Sequence, residues 1–271
     1  MLHEGDGPKV LDNGYVEYIE HWGSDERIIE SARMSTNKGF QGWESDTGLL
    51  KYLYNHKHMT PFEMEGMVLE VKAPIFVFRE WHRHRTQSYN EMSARYIPLP
   101  DENYTPTVER CIVQIDEKNR QATGTGKQPT RAEIEQWLSE LDNSYKWAQA
   151  VYDRGLARGI PKEIARLPVP VARYSRMRVS ANLRNWLAFL TLRMDHNAQW
   201  EIRQYANAVG SLIKEQFPRT WELFELGNHQ AARDAADAKL GRDLRQAVND
   251  SKIDIMHLNA LFPNLVFVKK D

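Results

Sequence analysis

The chain has 271 residues, and its 36 Lys and Arg against 37 Asp and Glu leave a formal charge of -1. That balance excludes a protein that coats nucleic acid or an anionic membrane through net charge, and the single cysteine excludes an internal disulfide or a zinc site of several thiolates. No run of about 18 apolar residues occurs and the first residues lack a basic and then apolar leader, so a cytoplasmic protein with no membrane or nucleic-acid partner is expected.

In chain order, Tyr15 to Tyr18 reads as a short strand. Ser24 with Asp25 and Glu26 predicts a helix start, continued by Ile28, Ile29 and Ala32. Ser45 with Asp46 predicts a second helix, with Leu49, Leu50 and Leu53 as its stripe to about Tyr54 and Thr60-Pro61 as its end. Met67 to Phe78 reads as extended, because Val68, Val71, Ile75, Phe76 and Val77 are strand formers. Arg79 to Arg95 contains no Gly or Pro and reads as helical or tightly wound. Pro98, Pro100 and Pro106 mark a loop inside a surface excursion over about 99 to 130, with Thr123-Gly124-Thr125-Gly126 as a second flexible patch. Apolar residues at steps of three and four predict a helix from Arg131 to about Arg158. A second such helix is built on Leu183, Trp186, Leu187, Leu190 and Met194, and a third runs from Ala198 to Phe217, stopped by Pro218. The whole reads as α+β, helix-rich in its second half, with an early strand region. Residues 1–225 form one expected domain carrying the 99–130 insertion, and 226–271 an extension of a helix plus an apolar tail.

The chemistry concentrates in Arg79-Glu80-Trp81-His82-Arg83-His84-Arg85 and on to Arg95, where every cation is Arg. Planar guanidinium forks suit bidentate contact with phosphate or carboxylate, so this segment is read as anion-binding. Pro161 to Arg184 holds Lys162, Arg166, Arg173, Arg176, Arg178 and Arg184 against the one acid Glu163, either a balanced positive surface or a second wall of a polyanion site. Arg193, Asn197 and Glu201 share a face if Leu192 to Glu201 is helical. His56/His58 and His82/His84 form His-x-His pairs, which can suit a metal, but no Cys or Asp sits at ligand spacing. Gly124-Thr125-Gly126-Lys127-Gln128 fails as a phosphate loop, and no dinucleotide-binding glycine fingerprint is present.

Arg83-His84-Arg85, seven residues and then Ser93 matches the Arg-His-Arg-x7-Ser signature of the flavin-dependent thymidylate synthases. The match extends through Tyr89-Asn90-Glu91 to Arg95-Tyr96, and to Val71-Lys72-Ala73-Pro74-Ile75-Phe76 upstream. Ala32-Arg33-Met34-Ser35, His58-Met59-Thr60-Pro61-Phe62-Glu63, Pro161 to Arg166, Leu192-Arg193 and Ala198 to Ile202 follow in family order, so the resemblance covers about residues 10 to 225. It implies a central, mainly antiparallel sheet with long helices, a homotetramer, and active sites shared between subunits. It also implies methylation of dUMP to dTMP with methylenetetrahydrofolate as carbon donor, FAD as redox mediator and NADPH as reductant.

Carried over by position, the resemblance implies FAD contacts from His58, Thr60, Arg83, His84, Arg85, Glu91, Asn182 and Arg184. It places Glu80, Arg83, Glu91, Met92, Ser93, Ala94, Arg95 and Arg166 along the dUMP site, and makes Arg193 the catalytic group that binds the uracil and favours ionisation at N3. The chain departs from the family's usual pattern at Glu80, Ala188 and Asn197, where Gln, a polar residue and His are common. Cys111 lies in the expected surface excursion with no His near it in sequence, which disfavours a cysteine nucleophile. Two other readings compete. A metal-dependent hydrolase would use the His-x-His pairs with Glu63 or Glu91, and an RNA-binding module would use the Arg-rich segments.

Overall fold

The structure is a computed structural model that describes residues 7–112 and 128–249. The chain divides into two compact units, Met1–Pro218 and Arg219–Asp271. The patch at 123–126, the 113–127 part of the 99–130 insertion and the apolar end of the tail lie outside the described residues.

The first unit is built on one five-stranded sheet. Its strands are β1 (Lys9–Val10), β2 (Gly14–Trp22), β3 (Gly66–Pro74), β4 (Ser88–Glu91) and β5 (Tyr174–Asn182), in the spatial order β1-β2-β3-β5-β4. Every pairing is antiparallel. Along β3 and β5 the side chains alternate. Met67, Leu69, Val71, Met177, Val179 and Ala181 enter the core, while Glu70, Lys72, Arg176 and Arg178 take the other face.

The helices are α1 (Asp25–Ala32), α2 (Trp43–Asn55), α3 (Ile75–Trp81), α4 (Val108–Cys111), α5 (Arg131–Ala157), α6 (Lys162–Ala165), α7 (Leu183–Arg193) and α8 (Trp200–Gln216). α7 packs on β3 and β5, and α8 on β1 and β2. Together with α3 they bury Phe78, Trp81, Trp186, Phe189 and Tyr205. The second unit is described only through helix α9, which starts at Pro218 and runs to Asn249. The expected domain edge at 225/226 falls within this helix. Among the described residues no helix is long and apolar enough to cross a membrane.

Four local expectations change. Ile75, Phe76 and Val77 do not extend β3 but open α3. Pro74 fixes φ at -61° and supplies no N–H, and Val77, Phe78 and Trp81 are then buried at helical spacing, so burial overrides strand propensity. α2 starts at Trp43, ahead of Ser45, after Gly42 at φ +97°. The Asp46 carboxylate is buried on the Arg33 guanidinium and the Gln41 N–H.

The cation-rich stretch after Pro170 contains the central strand β5. Its period-two alternation of Ser175, Met177, Val179 and Ala181 was the available signal. Finally, α7 stops at Arg193, and the Asp195 carboxylate accepts the Asn197 N–H at 2.8 Å, a local turn that breaks the helix. Arg193, Asn197 and Glu201 therefore share no helix face. Glu201 instead accepts from Arg110 and Tyr104.

Candidate active site

The dense Arg-His segment is pinned between α3, α7 and β4. Trp81 is fully buried, stacks on Phe189 at 4.5 Å, and donates its indole N–H to Gln87 at 2.9 Å. The Tyr89 hydroxyl, projecting from β4 toward the core, lies 2.7 Å from the His84 carbonyl. Burial pushes that hydroxyl up to about 12, so it stays a neutral donor. Asn185 in the first turn of α7 donates to the Thr86 carbonyl at 3.2 Å. Gln87 and Asn185 were not singled out in the sequence, and Tyr89 only as part of the family match. Each is an ordinary polar residue whose role comes from a partner brought close by the fold.

Arg193, the last residue of α7, reaches back to this segment. Its Nε donates to His84 Nε2 at 2.9 Å, Nη1 to the Glu80 carboxylate at 2.9 Å, and Nη2 to the Glu80 carbonyl at 2.7 Å. Arginine is donor-only, so His84 accepts at Nε2 and its own proton resides on Nδ1. Burial, reinforced by the Arg193 charge against the opposing pull of Glu80, lowers His84 to about 4 and keeps it neutral at pH 7.

A second group forms where the turn after α2 meets the start of α7. Thr60–Glu63 is a single 3₁₀ turn. Glu63 pairs with Arg184, and Asn182 caps α7 by accepting the Asn185 N–H at 3.0 Å. His58 is exposed beside this turn. α7 has 11 residues, so Arg184 and Arg193 stand at opposite ends of a helix about 17 Å long.

The third group follows β4. Glu91 ends the strand, and the Met92 N–H donates to the Arg176 carbonyl at 2.8 Å. Ser93 Oγ accepts the Arg95 N–H at 3.3 Å, and no His or carboxylate bonds to it among the described residues. Ala94 is buried. Arg95 lies 3.4 Å from Glu163 in α6, and Lys162 donates to the Tyr96 carbonyl at 2.8 Å, which ties α6 to the Ser93–Tyr96 turn; Arg166 follows α6 directly in the chain. Among the described residues no hydrogen bond or ion pair joins this group to Arg193.

The cations divide sharply. Arg173 is buried on Asn103, Pro100, Gln149 and Asp101, and Arg176 and Arg178 pair with Glu70 across the sheet. Half of the expected second wall is thus structural. Among the described residues the exposed side chains of Arg83, Arg85 and Arg166 have no carboxylate partner, a donor set that fits ligands bearing phosphates, such as FAD and a nucleotide. The histidine pairs do not converge. His56 bonds the Tyr52 carbonyl, His82 lies against Tyr89 and His84 faces Arg193. No group of three or more His, Cys, Asp or Glu among the described residues is placed to hold a metal. Cys111 closes α4, where burial raises its thiol against the opposing effect of Arg110.

The family model described as thymidylate synthase complementing protein matches residues 17–219. A relative from Thermosipho africanus (strain TCF52B), named flavin-dependent thymidylate synthase, is 39% identical over 216 residues, spanning 80% of this chain and 92% of that protein. One of the same name from Wolbachia pipientis wMel is 40% identical over 217 residues, 80% of this chain and 75% of that protein. Among solved structures, the UMP/dUMP methylase PolB from Streptomyces cacaoi, bound with 5-Br dUMP, superposes with a TM-score of 0.72 at 31% identity, covering 81% of this chain and 97% of that one.

Proposed function

The chain belongs to the flavin-dependent thymidylate synthase family, and on that premise we propose that it methylates dUMP to dTMP. In this reading methylenetetrahydrofolate is the carbon donor and NADPH the reductant. FAD, when bound, supplies the redox step. The enzyme is cytoplasmic, residues 1–225 form its catalytic domain, and 226–271 are an appended extension.

One observation carries the reading. Arg193 uses three of its five N–H donors inside the chain, which leaves one on each terminal nitrogen. A guanidinium held this way presents a fork of fixed charge. Set against the uracil, it binds the ring carbonyls and stabilises negative charge that develops at N3, the kind of preorganised electrostatic help that active sites use. Arg83, Arg95 and Arg166 hold the nucleotide with Glu91, Met92 and Ala94, and the Ser93 hydroxyl donates a hydrogen bond to it. With no base bonded to it, Ser93 is a poor nucleophile. Cys111 is a poor one too, since its raised thiol holds little thiolate at neutral pH. His58, Thr60, Arg83, His84, Arg85, Glu91, Asn182 and Arg184 hold FAD.

Among the described residues no hydrogen bond or ion pair links the Ser93–Arg166 group to the Arg193 group. A homotetramer supplies the link, with each site completed by a neighbouring subunit. Exposed Tyr96, Ile97, Ile164, Leu167 and Val171 around Arg95 and Arg166 support such packing.

The test is a visible absorption spectrum of the purified protein, repeated anaerobically after adding NADPH and then dUMP, followed by a dTMP assay with UMP as a parallel substrate. A flavin band that bleaches, faster with dUMP, and dTMP formed with methylenetetrahydrofolate are the expected results. A colourless protein that takes up no added FAD defeats the reading.

A further inference from the structure

This inference rests on the reading above and concerns Glu80. The family resemblance places Glu80 against the nucleotide. In the structure both of its oxygen-bearing groups are engaged by Arg193, the carboxylate by Nη1 and the main-chain carbonyl by Nη2. The Arg193 side chain is 15% exposed and that of Glu80 40%, so the contact is half-sheltered from solvent. An arginine stem swivels freely, and a planar fork recognises a planar partner only when its plane is set. The two contacts from Glu80 and the third from His84 Nε2 are spread around the guanidinium and fix that plane. Glu80 is itself held firmly, because its neighbour Trp81 is fully buried and stacked on Phe189.

We propose that Glu80 is a positioning residue that acts on the nucleotide only through Arg193, holding the guanidinium so that its two remaining N–H donors face the uracil. The carbonyl contact survives any side-chain replacement. Glu80→Ala therefore loosens Arg193 without releasing it and falls short of removing Arg193 itself.

The test is a double-mutant cycle read as the dUMP dissociation constant, measured by calorimetry on the flavin-loaded protein. Glu80→Ala is expected to weaken dUMP binding roughly tenfold when Arg193 is present, the scale of one lost charge-assisted hydrogen bond. In an Arg193→Ala background the same change is expected to have an effect of less than about twofold, because independent effects add and shared ones do not. Glu80→Gln, which keeps an oxygen acceptor for Nη1, is expected to restore binding to within about threefold of wild type, a rescue that shows the Ala result is not general damage. A Glu80→Ala penalty that persists without Arg193 overturns the proposal by showing direct contact with the nucleotide. No penalty in either background, or no rescue by Gln, also overturns it. Wild-type protein that binds no dUMP defeats the function reading itself, before any variant is compared.

Discussion

With Nε on His84 and both terminal nitrogens on Glu80, Arg193 is held by three contacts within this chain. Arg193→Ala removes the fork but none of the residues assigned to FAD. It is expected to abolish dTMP formation while the flavin spectrum of the purified protein persists, and retained turnover would remove Arg193 from the mechanism. Glu65 presents a different kind of residue. It is buried, one carboxylate oxygen finds no partner among the described residues, and burial raises it from about 4.5 to about 7, with Glu30 and Asp25 adding and Arg27 opposing. Its folded value lies above its unfolded one, so the folded state binds the extra proton between them. The stability this contributes is complete below about 4.5 and is lost as pH rises through about 7. Glu65→Gln cannot ionise. Its Tm relative to wild type should therefore climb as pH is raised from about 5 to about 8, whereas parallel Tm curves would show that Glu65 does not titrate in this window.

At the scale of elements, strand β5 commits its own cations to structure. Its registered pairing sets Arg178 opposite Glu70, so a cation on the sheet face is matched by its cross-strand neighbour. Cations beyond the strand ends, such as Arg166 and Arg184, lie where the chain leaves the sheet and the proposed ligands would sit. Helix α5 is 27 residues long but buries only Ile134, Tyr152 and Gly155, so its ends matter more than in a core helix. Thr130 and Glu133 form a reciprocal capping box there, with the Thr130 N–H on the Glu133 carboxylate at 2.7 Å. Thr130→Ala should lower stability by about 1 kcal/mol, read in urea unfolding as a lower midpoint at unchanged slope. An unshifted midpoint would mean that the box contributes nothing.

For the whole molecule, the proposed tetramer makes its own demand. Leu167 is 76% exposed in the isolated chain and adjoins Arg166. Leu167→Asp would bring a charge into a subunit contact, and burying an unpaired charge is costly. Light scattering should show wild type at four chain masses and the variant at fewer, with dTMP formation lost alongside. A variant that remains tetrameric and active would place the contact elsewhere.

Much of this was legible in the sequence. The helices α1, α5, α7 and α8 repeat apolar residues at steps of three and four, and that pattern depends only on helix geometry. The Arg-His-Arg-x7-Ser signature from Arg83 to Ser93 pointed to the family that the family model and the relatives bear out, because a motif of fixed residue types at fixed spacing is readable without the fold. Tertiary structure decided the remainder. Val77 and Phe78 carry strand propensity, yet core burial after Pro74 wound them into α3. Arg173, Arg176 and Arg178 have the composition of a ligand site, and only the register of β5 against β3, with the loop beside it, committed them to structure. The same holds for Glu80, His84 and Arg193. Their residue types were visible in sequence, but 109 positions separate His84 from Arg193, and a hydrogen bond over that span exists only once the sheet and α7 have folded together.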